Sequence, residues 1–226
     1  MEHYNGKIVS ETERINEMEV ELTAFNAKRS VYQDNADLEV KRVGECTLLT
    51  DETAKDSIYY NRIKGFGIKD IDKIDDMLDM YYSKEITPCF DKTPNHTNME
   101  TTQALSNRGF VCAEQLVFLS IEPYLSSYSN DEIKIVNVNE KNVLEFLELI
   151  SRSNNKEISL VMAIKKAAYY TQANFHNYIA YMDGEVAGMG SLFVKGDEGY
   201  IANDFTFPSF RGKGVQKALL TLDCKL

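Results

Sequence analysis

The run from Asn177 to Leu220 constrains this chain more than any other stretch. It opens with NYIAYMDGEVAGMGSLFVKG (177–196), two alternating segments around Asp183-Gly184. Glycine there accepts the positive φ of a tight two-residue turn, so the segment predicts a β-hairpin. Glu198-Gly199 opens a third strand, YIANDFTF, which Pro208 ends. A loop with two glycines and two cations follows, Arg211-Gly212-Lys213-Gly214. It turns directly into a helix with Val215, Leu219 and Leu222 along one face.

A strand, a glycine loop and a helix in that order have a chemical meaning. The start of a helix presents unpaired backbone N–H groups and a partial positive charge. Glycines let that backbone come close to a ligand. Such a terminus is a natural cradle for a pyrophosphate, and Arg211 and Lys213 add charge to it.

Upstream, apolar spacing predicts helices over 11–28 (Ile15, Met18, Leu22, Phe25), 70–82, 98–108, 140–151 and 158–172. Asp70 is expected as an N-cap, and Gly109 as the stop of the third of these helices. In the fourth, Val143, Leu144, Leu147 and Ile150 are expected inward. Strands are expected at 38–49, 57–66, 111–122 and 132–138, with a short one in ITPCFDKTP. The polar stretch EPYLSSYSND (122–131) is the expected linker between regions 1–121 and 132–226. The order after it gives a mixed α/β plan.

The formal net charge of −10 argues against nucleic acid or an anionic membrane as partner, since both call for a basic surface. No apolar run reaches the roughly 18 residues of a membrane helix, and the N-terminus lacks the pattern of a signal peptide. Cys46, Cys89, Cys112 and Cys224 are scattered without metal-ligand spacing, and His3, His96 and His176 form no ligand pattern. The expectation is a cytoplasmic protein with reduced thiols and no metal.

RGKGVQ (211–216) resembles the loop of the GNAT superfamily of N-acetyltransferases, (Gln/Arg)-x-x-Gly-x-(Gly/Ala). Arg211 matches its first position and Gly214 its fourth, while Gln216 stands where Gly or Ala is usual. The preceding FTFPSF (205–210) is similar to the family's strand end. PSFRGKGVQKALL, NRIKGFG (61–67) and LSNRGF (105–110) resemble a branch in which a degenerate GNAT-like half precedes the working one. The implied fold is an acyl-CoA N-acyltransferase fold, mixed α+β. It has a mostly antiparallel sheet flanked by helices and a second GNAT-like half at the N-terminus.

The resemblance implies acetyl-CoA as co-substrate and direct attack of an amine on its thioester. Backbone groups of Asp204, Phe205 and Thr206 would hold the pantetheine arm. Arg211, Gly212, Lys213, Gly214, Val215, Gln216 and Lys217 would hold the pyrophosphate. At Gln216 two readings stay open: the side chain points away from the ligand, or its amide bonds it. Asp204 is the candidate catalytic base if its side chain faces the cleft, and Glu198 is a second candidate. A solvent-facing or turn-bonding Asp204 is the plainer alternative. Tyr169, Tyr178, Tyr181 and Tyr200 are candidates for lining a cleft, or else half-buried aromatics. The acceptor is expected to be a small-molecule or peptide amine. A complete GNAT half continues beyond the last helix, so truncation, a partner chain (a homodimer) or the N-terminal region would account for the rest. The competing function is a non-catalytic CoA-binding or scaffold module.

Overall fold

The computed structural model of the protein describes residues 2–34, 37–122 and 128–223, with backbone alone at 2–9, 222 and 223. Two compact units emerge, residues 1–28 with 35–118 and residues 29–34 with 119–226.

The first unit holds strands β1 (Leu38–Val43), β2 (Cys46–Asp51), β3 (Arg62–Lys64) and β4 (Cys89–Asp91), with helices α1 (Glu2–Arg29), α2 (Ile74–Tyr82) and α3 (Met99–Ser106). The sheet runs β1-β2-β3-β4, antiparallel except for the last, parallel pair. Cys46, Leu48, Ile63, Phe66, Ile74, Met77 and Tyr81 form its core, edged by Phe90 and Phe110.

Several expectations change here. The tract 38–49 is a hairpin rather than one strand, because Gly44 turns the chain at φ +60° and Val43 pairs with Cys46. Of 57–66 only Arg62–Lys64 pairs. The Asn61 side chain folds the preceding residues into a turn, donating to Ala54 O at 2.7 Å and accepting from Asp51 N at 2.7 Å. Asp70 is not an N-cap. It is buried within a 3-10 turn over Ile68–Lys73, and its Oδ1 accepts the Glu45 N–H at 3.0 Å. Residues 111–122 form no strand, and Val111, Val117 and Leu119 are exposed. A β-prone sequence becomes a strand only where an edge is available to pair it.

The second unit holds β5 (Ile133–Asn137), α4 (Val143–Asn154), α5 (Leu160–Lys166), β6 (Phe175–Met182), β7 (Glu185–Lys195), β8 (Glu198–Thr206) and α6 (Val215–Asp223). The sheet is antiparallel throughout, in the order β5-β6-β7-β8. The Asp183-Gly184 hairpin forms as expected, with φ +54° and +80°. α6 packs Val215 and Leu219 onto Tyr178, Ala180, Met182 and Ala187 on one face. Phe146 of α4, Tyr170 and Phe175 stack against one another at ring separations near 6 Å. Strand alternation puts Phe175 and Ile179 on the face opposite Tyr178 and Ala180, so helices cover both faces. In α4 the buried residues are Val143, Phe146, Leu147, Leu149 and Ile150. Leu144, expected inward, is exposed. The expected inward place of Leu222, part of the expected linker (123–127) and the chain end 224–226 lie outside the described residues. The architecture is a mixed α+β fold of two sheets with flanking helices.

Candidate functional site

The site grows from an irregularity in β8. Pairing with β7 runs Ser191↔Ala202 and then Met189↔Phe205, so β8 carries an extra residue. Asn203 sits at φ +53°, a left-handed conformation that asparagine tolerates better than most residues. A buried polar ladder fixes this bulge. Asn177 of β6 donates to Tyr170 O at 2.8 Å and Phe175 O at 3.0 Å, and its Oδ1 accepts from Ser191 Oγ at 2.6 Å. Asn203 Nδ2 donates in turn to Ser191 Oγ at 3.2 Å. A bulge re-aims the side chains beyond it, here Asp204, Phe205 and Thr206.

Asp204 faces α6. A Cβ on Gly190 would lie 2.9 Å from Asp204 Oδ1 and 3.6 Å from Leu219 Cδ2, so the bare glycine makes room for the carboxylate beneath the helix. Gln216 Nε2 donates to Asp204 Oδ2 at 2.7 Å, and Thr206 Oγ1 donates to Gln216 Oε1 at 3.4 Å. Asp204 Oδ1 is buried with no hydrogen-bond partner. Burial pushes the Asp204 carboxyl up to about 6, against the pull of the Ser191 backbone and the Gln216 amide. The Gln216 amide turns inward to the strand. Glu198 lies at the far end of β8.

On the other face of β8, Phe205 and Phe207 meet edge to face at 5.1 Å. The Phe207 N–H donates to Ala187 O of β7 at 3.0 Å. By alternation the backbone groups of Thr206 point to the open side of β8, the edge strand of this sheet among the described residues. The Thr206 carbonyl accepts from Arg211 Nε at 3.2 Å.

The loop reaches α6 through Gly212 (φ +75°) and Gly214 (φ +88°). Ala218 N donates to Gly214 O, making Gly214 the N-cap and leaving the N–H groups of Val215, Gln216 and Lys217 in the first turn. The cations of the loop and of the first turn of α6 lie over aromatic rings: Arg211 6.0 Å from Phe205, Lys213 5.2 Å from Phe210, and Lys217 4.3 Å from Tyr128. Tyr128 and Asn130 approach the loop from the chain entering β5, donating to Gly214 O and Lys213 O, each at 3.5 Å. The structure thus brings Asp204–Thr206 and Arg211–Lys217 together. It does not gather the tyrosines. Tyr178 is core against α6, and Tyr181 donates to Glu145 Oε1 at 2.7 Å. Sequence reasoning missed Asn177, Ser191, Asn203 and Tyr128. A polar Asn-Asp pair inside a strand, with Gly190 opposite it in the next, was the available signal of a bulge.

Residues 143–222 match the family model described as Acetyltransferase (GNAT) family, spanning α4 to α6. This segment is a GNAT-family domain. The likeness in fold extends beyond it. A GCN5-related N-acetyltransferase from Kribbella flavida aligns over 82% of this chain and 73% of its own, at 12% identity and TM-score 0.60. A conserved protein of unknown function from Staphylococcus epidermidis ATCC 12228 aligns over 87% and 82%, at 12% identity and TM-score 0.54. At such identity the likeness concerns fold alone. An aminoglycoside acetyltransferase from an uncultured soil metagenomic sample aligns over 42% of this chain and 69% of its own, at 19% identity and TM-score 0.37, too shallow to bear on the acceptor. No curated protein matches the sequence closely enough to count as a relative.

Proposed function

We propose that this GNAT domain is an acetyl-CoA-dependent N-acetyltransferase acting on an amine of a small molecule or peptide. One observation carries the reading: a loop with two glycines and two cations opens α6, whose first turn adds Lys217, and stands beside the open edge of β8. The residues present fit coenzyme A. Nothing lies within 4 Å of a Cβ built on Gly212, so that stretch of loop is bare backbone open to a ligand. The first-turn N–H groups of α6 and the side chains of Arg211, Lys213 and Lys217 suit a pyrophosphate. Edge backbone groups at Asp204–Thr206 suit the amides of a pantetheine arm, which would lie there as a strand does.

When bound, acetyl-CoA supplies the activated acyl group. The acceptor amine forms the C–N bond, the C–S bond breaks, and the amine's proton is passed on so that the thiolate leaves as thiol. This chain's residues bind and orient. Asp204, turned toward α6, contributes by holding the loop. Free Cys46, Cys89 and Cys112 accord with a reducing, cytoplasmic setting. Residues 132–226 would be the working half, and 1–121 the second GNAT-like half.

A non-catalytic CoA-binding module is the competing reading, favoured by the inward turn of Asp204. Thermal melts with millimolar acetyl-CoA test binding, since a ligand of the native state alone raises Tm. Thiol release across an amine panel tests turnover. No shift in Tm sinks both readings, and binding without release on any amine selects the module.

A further inference from the structure

Asp204 and Gln216 make a bond whose position gives it a role. Gln216 is the second residue of α6, in the turn whose N–H groups face the proposed pyrophosphate. Its side chain leaves that turn and reaches back to the bulged strand, where Asp204 Oδ2 accepts its amide at 2.7 Å and Thr206 Oγ1 approaches its carbonyl. A small residue at 216 could make neither contact. Asp204 is otherwise enclosed by Gly190 and the Ser191 backbone on β7, Leu219 on α6 and its own strand. Its second oxygen has no hydrogen-bond partner. A buried carboxylate with one side-chain donor is costly to keep unless that donor is held in place. The arrangement therefore ties the first turn of α6 to the β8 bulge at one point.

We propose that Asp204 and Gln216 are positioning residues for coenzyme A, fixing the first turn of α6 so that its backbone N–H groups hold the pyrophosphate. This rests on the coenzyme-binding reading above. Neither side chain touches the ligand; each acts through the backbone it anchors. A charge-assisted bond is stronger than a neutral one. The anchor is therefore tightest with Asp204 ionised and loosens as the carboxyl, raised by burial to about 6, takes up a proton.

Calorimetric titration with acetyl-CoA tests this on the full chain, from pH 5 to pH 8, for the parent protein, Gln216→Ala, Asp204→Asn and Asp204→Ala. Circular dichroism checks that each variant is folded. Gln216→Ala is expected to bind about tenfold more weakly at pH 7, the scale of one charge-assisted bond. Asp204→Asn keeps an acceptor for the Gln216 amide. It should bind at pH 7 as the parent does at pH 5, and Asp204→Ala more weakly still. The asparagine variant also carries any pH effect of the ligand's own phosphates, so the parent-to-variant ratio isolates Asp204. A merely structural pair would shift Tm and leave the affinity of the folded protein, and this ratio, unchanged. Gln216→Ala binding as tightly as the parent, or a ratio flat from pH 5 to pH 8, overturns the proposal while leaving the coenzyme site intact. If Gln216→Ala does not fold, the asparagine ratio decides alone. A parent protein that binds no acetyl-CoA overturns the coenzyme reading itself, and this inference with it.

Discussion

The Tyr128 hydroxyl lies where a side chain on Gly214 would begin: a Cβ there would fall 2.2 Å from Tyr128 Oη. Gly214 also holds φ at +88°. Two separate penalties thus meet at one glycine, and Gly212 separates them, since it shares the positive φ but has nothing within 4 Å of a Cβ. Gly212→Ala is expected to cost about 1–3 kcal/mol from backbone strain alone. Gly214→Ala should cost more. Adding Tyr128→Phe should bring the two substitutions together, because it removes the colliding oxygen. Urea unfolding of the four proteins measures each step. Equal losses for Gly212→Ala and Gly214→Ala would show that Tyr128 yields without cost.

Asp204 makes stability depend on pH with a definite sign. Its folded carboxyl titrates near 6, above the ordinary 3.8, because burial disfavours the charge. The contribution is therefore fully present below 3.8 and is lost as pH rises through about 6. Asp204→Asn should remove that dependence and stabilise the protein at pH 7 by about 1–3 kcal/mol. Urea midpoints of parent and variant at pH 4, 5, 6 and 7 check it. The two curves should converge toward low pH, and parallel curves would count against a buried, raised carboxyl. Coenzyme affinity should move the opposite way, weakening as the same group protonates, so the two effects separate on one pH series.

Ser191 is the middle of the ladder that sets the bulge. Its hydroxyl donates to Asn177 and accepts from Asn203, and it is fully buried. Ser191→Ala leaves the Asn177 carbonyl oxygen and the Asn203 amide without that partner. A loss of about 1–3 kcal/mol is expected. Asn203→Gly keeps the left-handed backbone and gives up one hydrogen bond, so it should cost less. Thermal melts rank the two, and the reverse order would mean that the bulge depends on the Asn203 side chain more than on the ladder.

How much of this was legible in the sequence follows from the range of the interactions. The hairpin at Asp183-Gly184, the strand stop at Pro208 and the glycine loop are local devices, written in neighbouring residues and read directly. Helices α2, α4 and α6 carry strong apolar periodicity and form at or close to the expected places. Failures came where a distant partner decides. Residues 111–122 have strand composition, but no edge pairs them. Asp70 looks like a cap until the Glu45 backbone, 25 residues away, claims its carboxylate. The motif placed Asp204 and Gln216 near the site without showing that they bind each other. Their bond depends on a bulge set by Asn177 and Ser191 on two other strands, and no spacing within 204–216 encodes that.

In the first unit, Lys64 and Glu19 form a buried ion pair at 2.7 Å, with side chains 3% and 8% exposed. Asp91 also bonds Lys64, and Arg62 lies 3.8 Å from Glu19 and 3.4 Å from Asp91. Arg62 donates further to Thr23 Oγ1 at 2.8 Å and stacks on Tyr59 at 4.8 Å. Two cations and two carboxylates therefore balance in a site largely cut off from water. Removing one member leaves an uncompensated charge where solvation is poor, so Lys64→Met should cost about 3–5 kcal/mol. Glu19→Leu should cost a similar amount. The double variant replaces both charges with apolar groups of like size and should lose clearly less than the sum of the singles. Urea unfolding of all four proteins closes the cycle. Additive losses would mean that water reaches the pair and screens it, against the burial of both side chains.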